Sequence, residues 1–152
     1  MISLDELLVK DVMSPEPVCV HRETSIADAI QVLLGRSLQG APVVDEEGDV
    51  VGVVSTSDLL AVVAPACRAG EPLDVHRLNE VKKQHVHELL ERFPVTCAED
   101  LRVVDACQLM VKQRVHRLVV VREQRAVGLI SAIDLVRAVA ALAGKPNGSE
   151  DR

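Results

Sequence analysis

Two serine–aspartate pairs have a spacing that suits a phosphorylated ribose. Ser55 and Asp58 are separated by two residues, and so are Ser131 and Asp134. Each pair stands where an apolar β-branched run gives way to a helical pattern, which predicts a strand-to-helix corner. The first amides of a helix are unpaired and carry about half a positive charge, so a phosphate is favoured there and a serine hydroxyl can donate to it. A carboxylate one turn later can accept from both ribose hydroxyls.

The same spacing has a second interpretation that needs no ligand. Ser-x-x-Asp at a helix start resembles a capping box, in which the serine accepts from an amide and the acid reaches back, for about 1 kcal/mol. One such pair alone favours capping. Because the pair recurs at the same corner of two repeats, we expect a ligand at one or both corners, with capping as the alternative.

A charged dipeptide distinguishes the second corner from the first. His116 and Arg117 precede the apolar run that starts at Leu118, whereas Gln39 and Gly40 hold the matching positions. Arginine is always charged and can bond a phosphate through two N–H groups, although a solvated pair at a strand start is the alternative. The two corners are therefore predicted to differ, and one of them can be weak or empty.

These corners belong to a sequence that repeats itself. When Pro17 is laid on Pro94, 77 positions later, the helical segments of the two halves align. Downstream of the helix the alignment continues with a deletion of one residue in the hairpin of the second copy. The matched residues are Asp28, Ala29 and Gln31 with Asp105, Ala106 and Gln108, and then Gly52, Ser55 and Asp58 with Gly128, Ser131 and Asp134.

Each copy has the pattern β-α-β-β-α. Helical periodicity marks residues 24–38 and 101–115, with Thr24 or Glu23 and Asp100 as the residues that start these helices. A short strand precedes each helix, a hairpin follows it, and a second helix begins near Ser57 or Ile133. The predicted strands are 18–20, 42–45 and 50–55 in the first copy, and 95–97, 118–121 and 126–131 in the second.

The predicted fold class is α/β (α+β), with two repeats packed sheet to sheet in pseudo-two-fold symmetry, because a sheet with helices on one side leaves its other face apolar. The predicted boundaries are 9–63 for the first repeat, 64–85 for a linker and helix, 86–142 for the second repeat and 143–152 for a disordered tail. A helix is expected from Asp74 to Arg92, since its apolar residues lie near one stripe.

Composition excludes several classes of function. The net charge is −6 and aromatic residues make up 1% of the chain, which disfavours nucleic-acid binding. Residues 1–10 lack a basic region followed by an apolar one, so no signal peptide is expected, and no apolar stretch reaches membrane-spanning length. Catalytic motifs such as G-x-S-x-G, the P-loop and H-E-x-x-H are absent.

Cysteines and histidines are interpreted as structural or surface residues. The four cysteines form no C-x-x-C pair and are expected to be reduced and buried: Cys19, Cys67, Cys97 and Cys107. His85 and His87 could bind a metal, but residues two apart on a helix face different directions. They and His76 are therefore interpreted as surface histidines, and no metal site is predicted.

The motifs of both copies resemble the CBS repeat. In the first copy the matching phrases are V-x-D-V-M-S-P-x-P-V (9–18), A-P-V-V-D (41–45) and G-V-V-S-T-S-D (52–58), and in the second V-H-R-L-V-V-V (115–121) and G-L-I-S-A-I-D (128–134). The resemblance covers 9–63 and 86–140. It implies a Bateman module, which binds AMP, ADP, ATP or S-adenosylmethionine in two clefts between the repeats and often dimerises into a flat disc.

The resemblance also implies site residues. The corner residues are Ser55, Thr56, Ser57, Asp58, Ser131, Ile133 and Asp134. Val20, Leu38 and Gln39 would line the base site opposite Asp134, and Cys97, Val115 and His116 would do so opposite Asp58, although the apolar members are equally core candidates. The pair His116-Arg117 is similar to the repeats of the AMP-activated kinase γ-subunit, where this dipeptide reaches ligand phosphates.

Together these features predict a cytoplasmic, non-enzymatic regulatory module. Its ligand would be an adenine nucleotide or S-adenosylmethionine, acting as a regulator and not as a catalytic cofactor. A homodimer and an unknown effector protein are the expected partners, without nucleic acid or membrane. The alternative is a ligand-free module for protein interaction and self-association.

Overall fold

A computed structural model describes residues 3–90 and 93–144 of the chain. The chain divides into two compact units. The N-repeat unit contains residues 17–94 and 124–126, and the C-repeat unit contains 3–16, 95–123 and 127–144. Within the predicted disordered tail, residues 145–152 lie outside the described residues.

Six helices and seven strands are described in these ranges. In chain order they are α1 (Val9–Val12), β1 (Ser14–Pro15), β2 (Val20–His21), α2 (Ile26–Gly35), β3 (Gly40–Val44), β4 (Val50–Ser55), α3 (Thr56–Val63), α4 (Val75–Lys83), β5 (Thr96–Cys97), α5 (Val103–Gln113), β6 (Arg117–Arg122), β7 (Arg125–Ser131) and α6 (Ala132–Ala143). Short 3-10 turns occupy Leu4–Glu6, Ala64–Ala66 and Val86–Leu89.

The N-repeat unit has a three-stranded sheet in the order β2-β3-β4. β2 runs parallel to β3, with Val20 opposite Val43, and β3 pairs antiparallel with β4. The parallel pair requires a crossover, which α2 supplies. Ile26 and Leu33 on α2 pack with Val43 and Val54 of the sheet in a fully buried aliphatic core. The predicted β-α-β-β-α order is confirmed in this copy.

The C-repeat unit has the same order and one further strand. Its sheet runs β1-β7-β6-β5, with β5 parallel to β6 and β1 antiparallel to β7. Val103 on α5 packs with Leu118, Val120 and Ile130 of the sheet, and all four are fully buried. The turn between β6 and β7 consists of Glu123 and Gln124, both at positive φ. The mixed α/β class with two small sheets is therefore confirmed.

Each unit is completed by the segment that precedes the other repeat in sequence. In the C-repeat unit the Val9 amide donates to the Leu101 carbonyl at 2.8 Å, and the Val9 side chain is fully buried. In the N-repeat unit the Val86 amide donates to the Thr24 carbonyl at 2.8 Å, and Val86 is likewise buried. The leading segments of the two repeats, residues 3–16 and 84–90, are thus exchanged between the units.

Two matched glycines make room for the exchanged segments. A Cβ added at Gly52 would lie 2.7 Å from Cδ2 of Leu90, and one added at Gly128 would meet the Met13 thioether. Such distances are shorter than nonbonded heavy atoms accept, so a side chain at either position would force the side chain of Leu90 or Met13 to move. The recurrence of Gly52 at Gly128 follows from this close packing.

The predicted starts of the first helices are wrong by one or more residues. Ser25, and not Thr24 or Glu23, caps α2, since its hydroxyl accepts from the Asp28 amide at 3.1 Å. α5 begins after Arg102, without a side-chain cap, and not at Asp100. The exchanged segments explain the difference, because the carbonyls of Gln84 and Leu7 accept from the first amides of α2 and α5 and stand in for part of a cap.

The helix predicted from Asp74 to Arg92 is also wrong beyond its first half. α4 ends at Lys83, Gln84 and His85 are extended, and a 3-10 turn follows at Val86–Leu89; residues 91–92 lie outside the described ranges. The apolar stripe that predicted this helix continues past Lys83. Residues 84–87 are nevertheless not helical, because they form backbone hydrogen bonds with residues 22–26. This tertiary pairing outweighs the local helical periodicity.

The cysteines are free, but only some of them are buried as expected. Cys97 is buried and Cys107 is half-buried, whereas Cys19 and Cys67 are exposed. Cys67 lies just after the turn at Ala64–Ala66, where the chain leaves the core. The apolar residues beside Cys67 belong to the turn that follows α3 and not to a core helix or strand.

The helices are short. α6 has 12 residues and α5 has 11. Across 3–90 and 93–144, no helix combines the length and the apolar character that crossing a membrane requires.

Candidate functional site

The corner between β4 and α3 is held by Ser55 and Asp58. The Ser55 amide and hydroxyl both donate to Oδ2 of Asp58 at 2.8 Å, and the Asp58 amide donates to the Ser55 hydroxyl oxygen at 3.2 Å. Ser55 is buried, while Asp58 reaches the surface. The pair therefore forms a complete capping box.

The corner between β7 and α6 has the same geometry. The Ser131 amide and hydroxyl donate to Oδ2 of Asp134 at 2.8 Å, and the Asp134 amide donates back at 3.4 Å. Both Ser-x-x-Asp pairs thus cap their helices, as the ligand-free interpretation requires. A cap does not exclude a ligand, since it uses Oδ2 and fixes the carboxylate in one orientation.

The two carboxylates differ in their surroundings. The side chain of Asp134 is 18% exposed, and its Oδ1 lies 4.0 Å from Nη1 of Arg137, one turn further along α6. Asp58 is exposed, and the residue three positions later on α3 is Ala61. The C-repeat corner is therefore more enclosed and has a cation close to its free carboxylate oxygen.

The first amides of both helices are already paired, which corrects the expectation that they would be open to a phosphate. The Thr56 amide donates to the Gln39 carbonyl at 3.0 Å, and the Ala132 amide donates to the His116 carbonyl at 2.8 Å. The third amides are taken by the serine hydroxyls described above. A phosphate at either corner would therefore depend more on side chains than on the helix terminus.

The same bonds bring predicted site residues together within each unit. In the N-repeat unit, Gln39 lies beside Thr56, whose hydroxyl also points to the Gln39 carbonyl at 3.4 Å. In the C-repeat unit, His116 lies beside the start of α6, and Arg117 begins β6 next to it. His116 is exposed and Arg117 is half-buried. The dipeptide predicted to contact phosphates is thus adjacent to the Ser131–Asp134 corner.

The residues predicted to line the base site belong first to their own cores. Val20 is 3% exposed and Cys97 is 7% exposed, while Leu38 and Val115 are half-buried. Burial raises the pKa of the Cys97 thiol to about 11, so this cysteine is not a nucleophile near neutral pH. The pairing of these residues with the aspartate of the other repeat stays a prediction.

An apolar groove on the N-repeat unit was missed by the sequence interpretation. It encloses about 200 Å³ between α2 and α3. Leu34 and Leu60 stand at its rim with 66% and 65% of their surface exposed. At the matching positions of the C-repeat unit, Val111 and Val136 are also exposed. Leu34 and Val111 keep the apolar helical spacing of α2 and α5, so the sequence pattern counted them with the core and did not indicate an exposed groove.

The repeated pattern corresponds to one known family. The profile of the CBS domain matches residues 9–65 and 86–141, which together are most of the chain. The chain belongs to the CBS domain family. As a CBS pair, it is 26% identical to the uncharacterized protein MJ1426 of Methanocaldococcus jannaschii, over 88% of this chain and 91% of that protein. Two other relatives are longer, and the chain spans 23% of each.

Solved structures of CBS pairs share this fold. CBSX2 from Arabidopsis thaliana in complex with AMP has a TM-score of 0.71 and 27% identity, covering 90% of this chain and 98% of that one. The CBS domain pair of protein MJ0100, in complex with 5'-methylthioadenosine and S-adenosyl-L-methionine, also has a TM-score of 0.71 and 27% identity, covering 87% and 98%. The prediction of a tandem CBS module is confirmed.

Proposed function

We propose that this CBS pair binds an adenine-containing ligand at its Ser–Asp corners and acts as a regulatory module, not as an enzyme. The observation that carries the proposal is the corner itself, built twice with the same three bonds between Ser and Asp. It gains support from two CBS pairs at 27% identity, one solved with AMP and one with 5'-methylthioadenosine and S-adenosylmethionine.

The aspartates are suited to hold a ribose. Each carboxylate is fixed through Oδ2 by its serine, so little side-chain entropy is lost when Oδ1 accepts a hydroxyl. A charge-assisted hydrogen bond of this kind is about twice as strong as a neutral one. At the C-repeat corner, Arg117 would supply the positive charge for a phosphate, and the His116 imidazole would lie next to it. The N-repeat corner has Gln39 instead and would bind a charged ligand more weakly.

Regulation would follow from differential binding. A ligand shifts a conformational equilibrium only by as much as it prefers one state over another. The ligand would not be chemically changed, so it is a regulator and not a cofactor. We propose that the readout lies in an effector protein and that the module acts in the cytoplasm, where its cysteines would stay reduced.

A ligand panel tests this function. Purified protein is melted with AMP, ADP, ATP, S-adenosylmethionine and NADH, each at increasing concentration. At 100 times its dissociation constant a ligand stabilises the folded state by about 2.7 kcal/mol, which raises the midpoint of a chain of this size by about 5–10 °C. We expect at least one adenosine ligand to do so, with saturation confirmed by calorimetry. Unchanged midpoints across the whole panel would contradict the proposal.

Self-association is a second candidate function, favoured by the exposed apolar helix faces. Leu34 and Leu60 flank the groove on the N-repeat unit, and Val111 and Val136 are exposed at the matching places of the other unit. Burying such side chains stabilises an interface by about 1.5–3 kcal/mol each. We therefore propose that these faces support a homodimer, with or without a ligand.

A charge at the groove should weaken this dimer. We expect Leu60→Glu to raise the dissociation constant by at least about 100-fold, since a carboxylate would be buried without a partner. Sedimentation over a range of concentrations measures the change, and Leu73→Glu, at an exposed leucine outside the groove, is the control. A monomeric wild-type protein, or a Leu60→Glu dimer of unchanged affinity, would refute this use of the groove.

A further inference from the structure

Three potential metal ligands converge on the N-repeat unit, away from the helix corners. Glu23, His85 and His87 each offer one donor atom, and all three atoms lie within 4.8 Å of one another. The two imidazole rings are nearly parallel, with centroids 5.7 Å apart. Nε2 of His87 lies 3.7 Å from Oε2 of Glu23. We call these residues the His–Glu cluster.

The backbone around the cluster explains why its imidazoles share one side. On a helix, residues two apart would point in different directions. Here α4 has already ended at Lys83, and His85 is extended, with φ −97° and ψ 151°. His87 follows in the 3-10 turn at Val86–Leu89. The interpretation of His85 and His87 as unrelated surface residues rested on a helix that the structure does not have.

Backbone hydrogen bonds fix the chain segments that carry the three donors. The His87 amide donates to the Arg22 carbonyl at 3.1 Å, and residues 25 and 85 form an antiparallel bridge. Val86 between the histidines is fully buried in the unit's core. The donors are therefore carried on a rigid backbone, while their partly exposed side chains can still rotate.

Neighbouring charged side chains decide which atoms of Glu23 and His85 face a metal. Nε of Arg22 lies 3.5 Å from Oε1 of Glu23, which leaves Oε2 on the His87 side. Oε1 of Glu88 lies 3.6 Å from Nδ1 of His85. A carboxylate beside one ring nitrogen orients a ligating imidazole and directs the other nitrogen to a metal.

The fold itself does not require these residue types. In the C-repeat unit the equivalent antiparallel bridge joins residues 8 and 102, with the same exchange of backbone bonds. Laid over the first copy with the same 77-residue offset, Leu8, Lys10 and Asp100 occupy the places of His85, His87 and Glu23. The second copy keeps a carboxylate at this place but builds the same ladder without any imidazole, so the two histidines are an addition to it.

We propose that the His–Glu cluster binds a divalent transition-metal ion, with Zn²⁺ as its best probe. Two imidazole nitrogens and one carboxylate oxygen form a donor set that zinc takes in proteins, with bonds of about 2.0–2.2 Å. In a tetrahedron such bonds place the donors about 3.4 Å apart, so donor atoms now up to 4.8 Å apart must approach by up to about 1.4 Å. Water would complete the coordination.

The bound ion would join two segments that are distant in sequence. Glu23 precedes α2 of the first repeat, while both histidines lie in the segment that leads into the second repeat. The ion would therefore fasten this exchanged segment to the N-repeat unit. Because it binds the folded state and not the separated segments, it would raise the stability of that unit.

Zinc titration in the absence of nucleotide tests the proposal. The full chain with Cys19→Ser and Cys67→Ser serves as background, because exposed thiols bind zinc on their own. Calorimetry should give one Zn²⁺ per chain, and excess Zn²⁺ should raise the thermal midpoint. We expect His85→Ala and His87→Ala each to weaken zinc binding by about 100-fold, and Glu23→Gln by about 10-fold or more. His76→Ala, at an exposed histidine on α4 outside the cluster, should change nothing.

Co²⁺ gives an independent spectroscopic readout. Its visible bands should show a low-symmetry nitrogen and oxygen site without a thiolate charge-transfer band, and they should vanish in His87→Ala. Wild-type zinc affinity in the His85→Ala/His87→Ala double variant, or equal losses in His76→Ala, would overturn the proposal. Because no nucleotide is present, this result does not depend on whether the Ser–Asp corners bind a ligand.

Discussion

Asp134→Ala is expected to weaken AMP binding by about 100-fold. The carboxylate is held by Ser131 through Oδ2, and its other oxygen would accept the ribose hydroxyls. Losing hydrogen bonds to a charged group costs about 1.5–3 kcal/mol, and two orders of magnitude in affinity correspond to about 2.7 kcal/mol. Calorimetry with AMP measures the change directly. Asp58→Ala should have a smaller effect, because that carboxylate is exposed and has Gln39 beside its corner instead of His116-Arg117.

The capping role of Asp134 must be separated from its ligand role. Removing the acid also removes the bond from the Ser131 amide, which should cost about 1 kcal/mol of stability in the absence of any ligand. Asp28→Ala is a control for losing an acid in the first turn of a capped helix, since Asp28 stands at the third position of α2 after Ser25. We expect both variants to lose some stability but only Asp134→Ala to lose AMP affinity. Equal AMP affinity in Asp134→Ala and wild type would show that Asp134 only caps α6 and does not bind the ligand.

Adenosine and AMP together separate the ribose contact from the phosphate contact. Arg117→Ala should weaken AMP but leave adenosine unchanged, since adenosine has no phosphate, whereas Asp134→Ala should weaken both. Comparable losses from Asp58→Ala and Asp134→Ala would contradict the predicted order of the two corners. This comparison also tests the structural finding that the first amides of α3 and α6 are already paired and leave the phosphate to side chains.

Local patterns in the sequence predicted the repeating β-α-β-β-α order because each element has its own period. Alternating or continuous β-branched runs mark the strands, and apolar residues at helical spacing mark α2 and α5. The positions of Ser55 and Ser131 at strand-to-helix corners followed from these periods alone. What could not be predicted is which segment completes each unit, because Val9 and Leu101 meet across more than ninety residues of chain.

The missed features of the site have the same non-local origin. The amides of Thr56 and Ala132 looked free because their acceptors, the carbonyls of Gln39 and His116, lie just before the first strand of each hairpin. His85 and His87 looked unrelated because the apolar stripe continued the helical period through them. In both cases a backbone bond from a distant segment decides the chemistry, and helical periodicity contains no information about such a bond.

Val86→Asp is expected to lower the free energy of unfolding by about 3–5 kcal/mol, and Val9→Asp should do the same. Both valines are fully buried in the exchanged segments, where a carboxylate would have no partner. For a chain of this length the thermal midpoint should fall by about 10 °C. Val75→Asp, at a valine on α4 with 56% exposure, should change the midpoint little.

Hydrogen exchange shows where each substitution acts. If the leading segments are exchanged, Val9→Asp should speed amide exchange in α5 and β6, whose core receives Val9, and leave α2 and β3 protected. Val86→Asp should do the reverse, because Val86 packs with Ile26 and Val43. The boundaries read from the repeat place Val9 with the first copy and Val86 with the second, so they require the opposite pattern. Loss of protection in α2 and β3 on Val9→Asp would therefore show that the exchange of segments is wrong.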